Sequence, residues 1–162
     1  MKFIADAMLG RLAKWLRLLG FDVLYYPDID DRELIGIAME KERTVLTRDT
    51  RLAKDRRLRD CIFIESDDIS GQLAEMKARL NFGGNARSSR CAACNGELYR
   101  VSQKMEIKEY IPDFVYHNFN DFSRCGDCGR VYWEGTHRKK IREKLACVLP
   151  DPFNRMRSEK RR

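Results

Sequence analysis

Two C-x2-C pairs, Cys91/Cys94 and Cys125/Cys128, constrain this chain more than any other feature. Each pair lets two thiolates of one tight turn face a single ion, and Gly96 and Gly129 follow the pairs to relieve the turns. Two such knuckles complete a tetrahedral four-cysteine site, the closed sulfur set that zinc prefers when its role is structural. Iron in the same site and a redox dithiol are the lesser alternatives. The remaining cysteines, Cys61 and Cys147, stand alone, so the six do not form a disulfide framework. The segment from Cys91 to Trp133 has few aliphatic residues, and a bound metal is expected to supply the fold there.

Upstream of the knuckles, short apolar runs alternate with helical spacing. Residues 2–5 read as a strand ending at Asp6, and residues 7–19 as a helix stopped by Gly20. Residues 22–26 are a second strand, with a turn at Pro27 and Asp28. Asp31 is expected to cap a helix through about Glu42; Asp30 competes for that position. Strands at 44–47 and 61–65 follow, separated by a short helix at 50–58, and Asp67 and Asp68 open a last helix reaching about Leu80. This β-α alternation predicts an α/β fold with a mostly parallel four-stranded sheet and helices on both faces.

Sheets of that kind bind ligands beyond the carboxyl ends of their strands. Three acids fall there: Asp6 after the first strand, Asp31 at the helix after the second, Asp49 after the third. Carboxylates gathered from separate strand ends can hold hard divalent ions such as Mg²⁺ or Mn²⁺, as phosphodiester hydrolysis needs. Each acid also has a plainer reading: Asp6 and Asp31 as helix caps, Asp49 as the start of the next helix. Asp28, Asp30, Glu33 and Asp55 read as solvated.

The net charge of +7 is unevenly spread. Residues 1–80 carry 15 basic and 15 acidic side chains; residues 81–162 carry 17 and 10. The basic half suggests a polyanionic partner. Arg11, Lys14 and Arg17 on the first helix, and Arg48, Arg51, Lys54, Arg56 and Arg57 beyond the third acid, are candidate phosphate contacts, with Arg11 and Arg48 nearest the acids in sequence. His137, Arg138, Lys139 and Lys140 form a second basic run. Residues 98–122 read as strands and a loop whose aromatics, Tyr110, Phe114, Tyr116, Phe119 and Phe122, serve a small core before they serve base stacking. Tyr132 and Trp133 carry the same two readings. The organisation expected is a nuclease domain at 1–82, a linker at 83–90, a zinc ribbon with basic extension at 91–146 and a basic tail at 147–162. No apolar run is long enough to span a membrane, and an acid arrives before any leader-like segment develops, so a cytoplasmic protein is expected.

The opening, Phe3-Ile4-Ala5-Asp6-Ala7-Met8-Leu9-Gly10-Arg11-Leu12-Ala13-Lys14-Trp15-Leu16-Arg17, resembles that of the Mut7-C RNase domain, a branch of the PIN-like nucleases. Asp30-Asp31-Arg32-Glu33-Leu34 and Leu46-Thr47-Arg48-Asp49 are similar to its next two motifs. The ribbon and Arg130-Val131-Tyr132-Trp133-Glu134-Gly135-Thr136-His137 are similar to its C-terminal part. The likeness covers about residues 2–140. It implies a PIN-like three-layer sandwich and a Mg²⁺- or Mn²⁺-dependent ribonuclease site carried by Asp6, Asp31 and Asp49, acting on RNA, with tRNA and rRNA among the substrates to consider. PIN-like sites often add a fourth acid on a central helix, for which Glu33 and Asp55 are the candidates here. The competing expectation is a non-catalytic adaptor that binds RNA or the ribosome through the ribbon, the aspartates being caps. A small-molecule phosphate enzyme is disfavoured because no glycine-rich phosphate loop follows any strand.

Overall fold

The computed structural model describes residues 1–80, 90–133 and 135. The chain divides into two units, Met1–Asn81 and Phe82–Arg162. The expected linker at 83–90 (all but Arg90), the basic run His137 to Lys140 and the tail lie outside the described residues.

The first unit is an α/β layer structure. Four strands, β1 (Lys2–Ala5), β2 (Asp22–Tyr25), β3 (Thr44–Thr47) and β4 (Cys61–Phe63), form a parallel sheet in the order β2-β1-β3-β4. Between them run α1 (Gly10–Leu18), α2 (Asp31–Glu40) and α3 (Thr50–Ala53), and α4 (Ile69–Arg79) follows β4. The order decides where the helices go. The step from β1 to β2 moves one way across the sheet and the step from β2 to β3 moves back over β1. Right-handed crossovers therefore put α1 and α2 on opposite faces. One face is sealed by Ile4 and Val45 against Leu34, Ile35 and Ala38 of α2 and Leu52 of α3. On the other, α1 lies against β1, β2 and α4. Burial on both faces explains why Phe3, Ile4 and Ala5 in β1, and Val45 and Leu46 in β3, are consecutive apolar residues instead of alternating ones.

Several element boundaries differ from the sequence reading, each for a local reason. The first helix does not begin at Ala7: residues Ala7–Leu9 form a 3-10 turn and the α-helix starts at Gly10. A Cβ on Gly10 would stand 2.5 Å from the Tyr25 ring, so glycine here lets β2 approach. The second helix ends at Glu40, because the chain reverses through Glu42 in the left-handed region (φ 48°). The third helix is a single turn, since Asp55 and Arg57 close their own turn through Asp55 Oδ1. β2 stops at Tyr25 and β4 at Phe63, short of the expected ends.

At the amino ends of the strands charge is neutralised: Arg43 bonds Asp22 at 2.7 Å and the Phe3 carbonyl at 3.1 Å, with both side chains mostly buried. Arg17, expected to face phosphate, is instead buried, with its Nε on the Val23 carbonyl at 2.8 Å.

The second unit carries an antiparallel sheet of β5 (Leu98–Arg100), β6 (Phe122–Cys125) and β7 (Val131–Trp133), in that order. Residues 98–122 are not strands and a loop throughout. A 3-10 segment (Lys104–Tyr110) and a short helix, α5 (Asp113–Asn118), cross one face of the sheet. Ile107, Ile111, Val115 and Phe122 make a small buried cluster there, flanked by Val101, Tyr116, Phe119, Val131 and Trp133. The aromatics thus separate: Phe122, Tyr116, Phe119 and Trp133 are core, while Tyr110 and Phe114 are exposed.

Candidate active site and metal centre

The strand order reverses between β1 and β3, and the carboxyl ends of strands at such a switch point are the usual ligand position in these sheets. Asp6 and Asp49 come from those two strand ends. Register puts Ala5 beside Leu46, and the Asp6 amide donates to the Leu46 carbonyl at 2.9 Å, so Asp6 lies level with Thr47.

Asp6 is only 8% exposed, and its side chain caps no helix. Its Oδ2 accepts from the Thr47 hydroxyl at 2.7 Å, and Thr47 Oγ1 in turn accepts from the Asp49 amide at 2.9 Å. One fully buried hydroxyl therefore ties the two aspartates together. Sequence reasoning missed Thr47. The available signal was a hydroxyl at the end of the apolar run Thr44-Val45-Leu46-Thr47, one residue before Arg48-Asp49.

Asp49 caps α3: Oδ1 accepts from the amides of Arg51 at 2.6 Å and Leu52 at 3.2 Å. These amides, aided by the Arg51 charge, hold its carboxyl below the ordinary value against a smaller opposing effect of burial. Capping and the strand-end position hold together here, because one carboxylate oxygen suffices for the cap.

At α2 the cap is Asp30, whose Oδ1 accepts from the Glu33 amide at 2.8 Å; Asp31 is the first helical residue and not the cap. That assignment leaves the Asp31 carboxylate outside the capping bond. Its pKa is raised, first by partial burial and then by the negative charges of Asp49, Asp6, Asp30 and Asp55. The Asp31 carboxylate therefore lies in the negative field of the other two acids.

Of the two fourth-acid candidates, Asp55 is in this field, yet it is bound by Arg57 at 2.7 and 3.0 Å and held down to about 2, chiefly by that side chain. Arg57 is raised in return, first by its bond to Asp55 and lastly by the Asp31 charge. Glu33 is exposed on the first turn of α2, and its amide serves the Asp30 cap. Among the expected phosphate contacts, Arg11, Lys14 and Arg51 are exposed, whereas Arg48 pairs with Asp67.

The knuckles of the second unit are built alike. In each, the carbonyl of the first cysteine accepts from the amide four residues on, Asn95 at 2.9 Å and Gly129 at 3.1 Å. In each, the amide of the first cysteine donates to the carbonyl five residues on, Gly96 at 2.8 Å and Arg130 at 2.9 Å. The residue that turns left-handed is Asn95 (φ 75°) in one and Gly129 (φ 71°) in the other. Gly96 is therefore not needed for its backbone angle. It is needed for space, since a Cβ would lie 2.5 Å from Asp127 and 2.8 Å from Cys125 Sγ.

The four sulfurs lie within 4.8 Å of one another, with Cys91–Cys128 at 3.6 Å and Cys94–Cys125 at 3.4 Å. A tetrahedral zinc with bonds of about 2.3 Å separates its sulfurs by about 3.8 Å. The set can hold a metal such as zinc. Burial opposes ionisation of Cys91, but the Tyr132 hydroxyl, 2.9 Å away, and the knuckle amides outweigh it and bring the thiol to about 6. Cys94, by burial and by its fellow thiols, is pushed up to about 12. Among the described residues this is the one cluster of candidate ligands closed to such spacing.

No helix among the described residues is long and apolar enough to cross a membrane. No curated protein and no solved structure matches the chain. The Mut7-C RNAse domain matches residues 1–145, nearly the whole sequence and both units. A sheet switch point with aspartates at its strand ends and a four-cysteine cluster thus occur together in a chain that belongs to the Mut7-C RNAse domain family.

Proposed function

We propose that the first unit is a PIN-like, metal-dependent ribonuclease that hydrolyses RNA phosphodiester bonds at Asp6, Asp31 and Asp49, and that the second is a structural zinc ribbon that helps hold the RNA. The observation that carries the catalytic half is the gathering of acids at the rim, where the Thr47 hydroxyl ties Asp6 to Asp49 and Asp31 lies in their field. Asp31 is raised first by burial and then by the charges of Asp49 and Asp6, while ion pairs among this unit's described residues engage Asp22, Asp55 and Asp67 instead. Like charges kept together at the ligand end of a sheet have a physical reason to be there if a divalent cation joins them.

The residues fit Mg²⁺ or Mn²⁺ by chemistry. All three are hard oxygen donors; Asp31 has no capping duty and Asp49 has an oxygen beyond its capping bonds. When bound, such an ion offsets charge on the phosphate oxygens and makes a water more acidic. The chain's own residues do the rest. Thr47 fixes the Asp6 carboxylate and the Asp49 backbone relative to each other. The α3 amides keep Asp49 ionised. Arg57 holds positive charge within reach of Asp31 while restraining Asp55. Arg11 and Lys14 on α1 and Arg51 on α3 are available to hold phosphates flanking the cut, with His137, Arg138, Lys139 and Lys140 adding charge from the second unit's sequence.

The zinc-loaded chain with Mn²⁺ should cleave RNA, and the Asp6→Asn, Asp49→Asn double variant should lose cleavage with zinc content unchanged. A double variant that cuts as well as the parent would place the chemistry elsewhere. The adaptor reading predicts tight RNA binding, one zinc and no cleavage by either protein.

A further inference from the structure

The zinc-ribbon unit carries a short aromatic row that neither the core nor the metal centre uses. Tyr99 on β5 and Arg124 on β6 are directly opposed across the antiparallel pair, so they share a face of the sheet. The Arg124 guanidinium lies 4.5 Å from the centre of the Tyr110 ring, which closes the 3-10 segment on that same face. The order across the surface is thus Tyr110, Arg124, Tyr99. Both rings are well exposed, Tyr99 at 59% and Tyr110 at 60%.

The row is held in place by structure. Arg124 Nε donates to the Gly129 carbonyl at 3.3 Å, which anchors the guanidinium to the second knuckle. The Tyr99 ring lies over Gly126 of that knuckle, where a Cβ would come within 2.8 Å of it. Its hydroxyl reaches Glu97, whose other carboxylate oxygen is engaged by Arg90. Exposed aromatic rings that alternate with a guanidinium do not reduce apolar exposure, and they leave flat π surfaces beside a positive charge.

The geometry points to a stacking platform for unpaired RNA nucleotides, with Tyr99 and Tyr110 receiving bases and Arg124 lying between them. Bases stack on aromatic and guanidinium planes when they are unpaired, and the neighbouring phosphates meet positive charge. Residues 90–133 carry six basic and six acidic side chains, so Arg124 is the charge within the row. The basic excess of residues 81–162 falls in the sequence flanking the ribbon, where it suits a polyanionic strand better than an apolar peptide. This assignment rests on the reading that the chain acts on RNA. It adds that the strand is held single-stranded on the ribbon.

The test uses the full, zinc-loaded chain carrying Asp6→Asn and Asp49→Asn, so that RNA stays intact, and a fluorescein-labelled short oligoadenylate. Adding Tyr99→Ala and Tyr110→Ala together should weaken binding at least tenfold, with zinc content and thermal melting retained. Tyr99→Phe with Tyr110→Phe should bind like the parent, because the rings remain. A blunt-ended, fully paired RNA duplex should bind all of these proteins alike. If the alanine pair binds oligoadenylate as tightly as the parent, the platform is wrong. Cleavage by the chain with its native aspartates is scored separately, so a failed nuclease leaves ring-dependent binding intact and a failed platform leaves cleavage intact.

Discussion

The two candidate ion sites of this molecule are opposites. At the cysteine knuckles, four soft donors are already drawn to within 4.8 Å by two copies of the same hydrogen-bonded turn. At the sheet rim, three hard donors come from separate elements, and Asp31 is raised by burial and then by the charges of Asp49 and Asp6. The contrast follows from what each ion demands. Zinc in a closed sulfur set does structural work, and nothing needs to enter, so the turns can preform it completely. On the proposed reading, a catalytic cation would share its coordination with substrate and water, so the protein need fix only part of the shell.

Perturbing the first site should have the largest effect. Cys125→Ser removes a ligand from a knuckle whose unit has only a small apolar cluster, and structural zinc contributes on the order of 10 kcal/mol in such modules. The expected outcome is loss of zinc and loss of the fixed environment of Trp133, read by metal analysis and fluorescence, with the far-ultraviolet helix signal of the first unit retained. If zinc stays bound, the four-thiolate assignment is wrong.

Next in size is Thr47→Val. The shapes match, but the buried Asp6 Oδ2 and the Asp49 amide each lose their partner, which costs about 1–3 kcal/mol. Cleavage should fall about ten- to a hundredfold, as for other groups that orient ligands. Thr47→Ser should recover most of both. A valine variant with parental activity would show that the rim needs no such tie.

Gly10→Ala probes packing beneath the rim. The new methyl meets the Tyr25 ring, and overpacking of this kind costs about 1–3 kcal/mol. Melting temperature should drop with little change in zinc content. An unchanged melting temperature would mean that Tyr25 yields freely.

The smallest effect distinguishes the acids by pH. A raised carboxyl pKa means that the folded state disfavours ionised Asp31, so its favourable contribution is present below the ordinary aspartate pKa and is lost as pH rises through the folded value. Asp31→Asn should therefore slightly raise the melting temperature of metal-free protein at neutral pH, the gain vanishing on acidification. Asp49 has the opposite sign: its lowered pKa contributes stability above the ordinary value, lost as pH falls through the folded one. An Asp31→Asn variant less stable than the parent at neutral pH would contradict the shared-field account.

The knuckles and the strand-end acids were legible in the sequence because both depend on short-range regularities: C-x2-C spacing, and an acid directly after an apolar run. The β-α order was legible too, and with it the parallel sheet. What stayed hidden depends on tertiary partners. That Asp30 and not Asp31 caps α2 turns on which carboxylate bonds the Glu33 amide. Arg17 looked like one more surface cation until β2 supplied a carbonyl for it. Thr47 differs from an ordinary strand threonine only in what lies beside it across the sheet. Gly96 looked like a turn glycine, yet its need is for space against the opposite knuckle, a constraint that no local pattern encodes.

The most direct test of the central claim is Mn²⁺ titration of the zinc-loaded chain by electron paramagnetic resonance. The parent should bind Mn²⁺ weakly and displaceably by Mg²⁺, and Asp6→Asn with Asp49→Asn should abolish that binding while zinc remains. Equal Mn²⁺ binding by the two proteins would contradict a cation site at the carboxyl ends of β1 and β3.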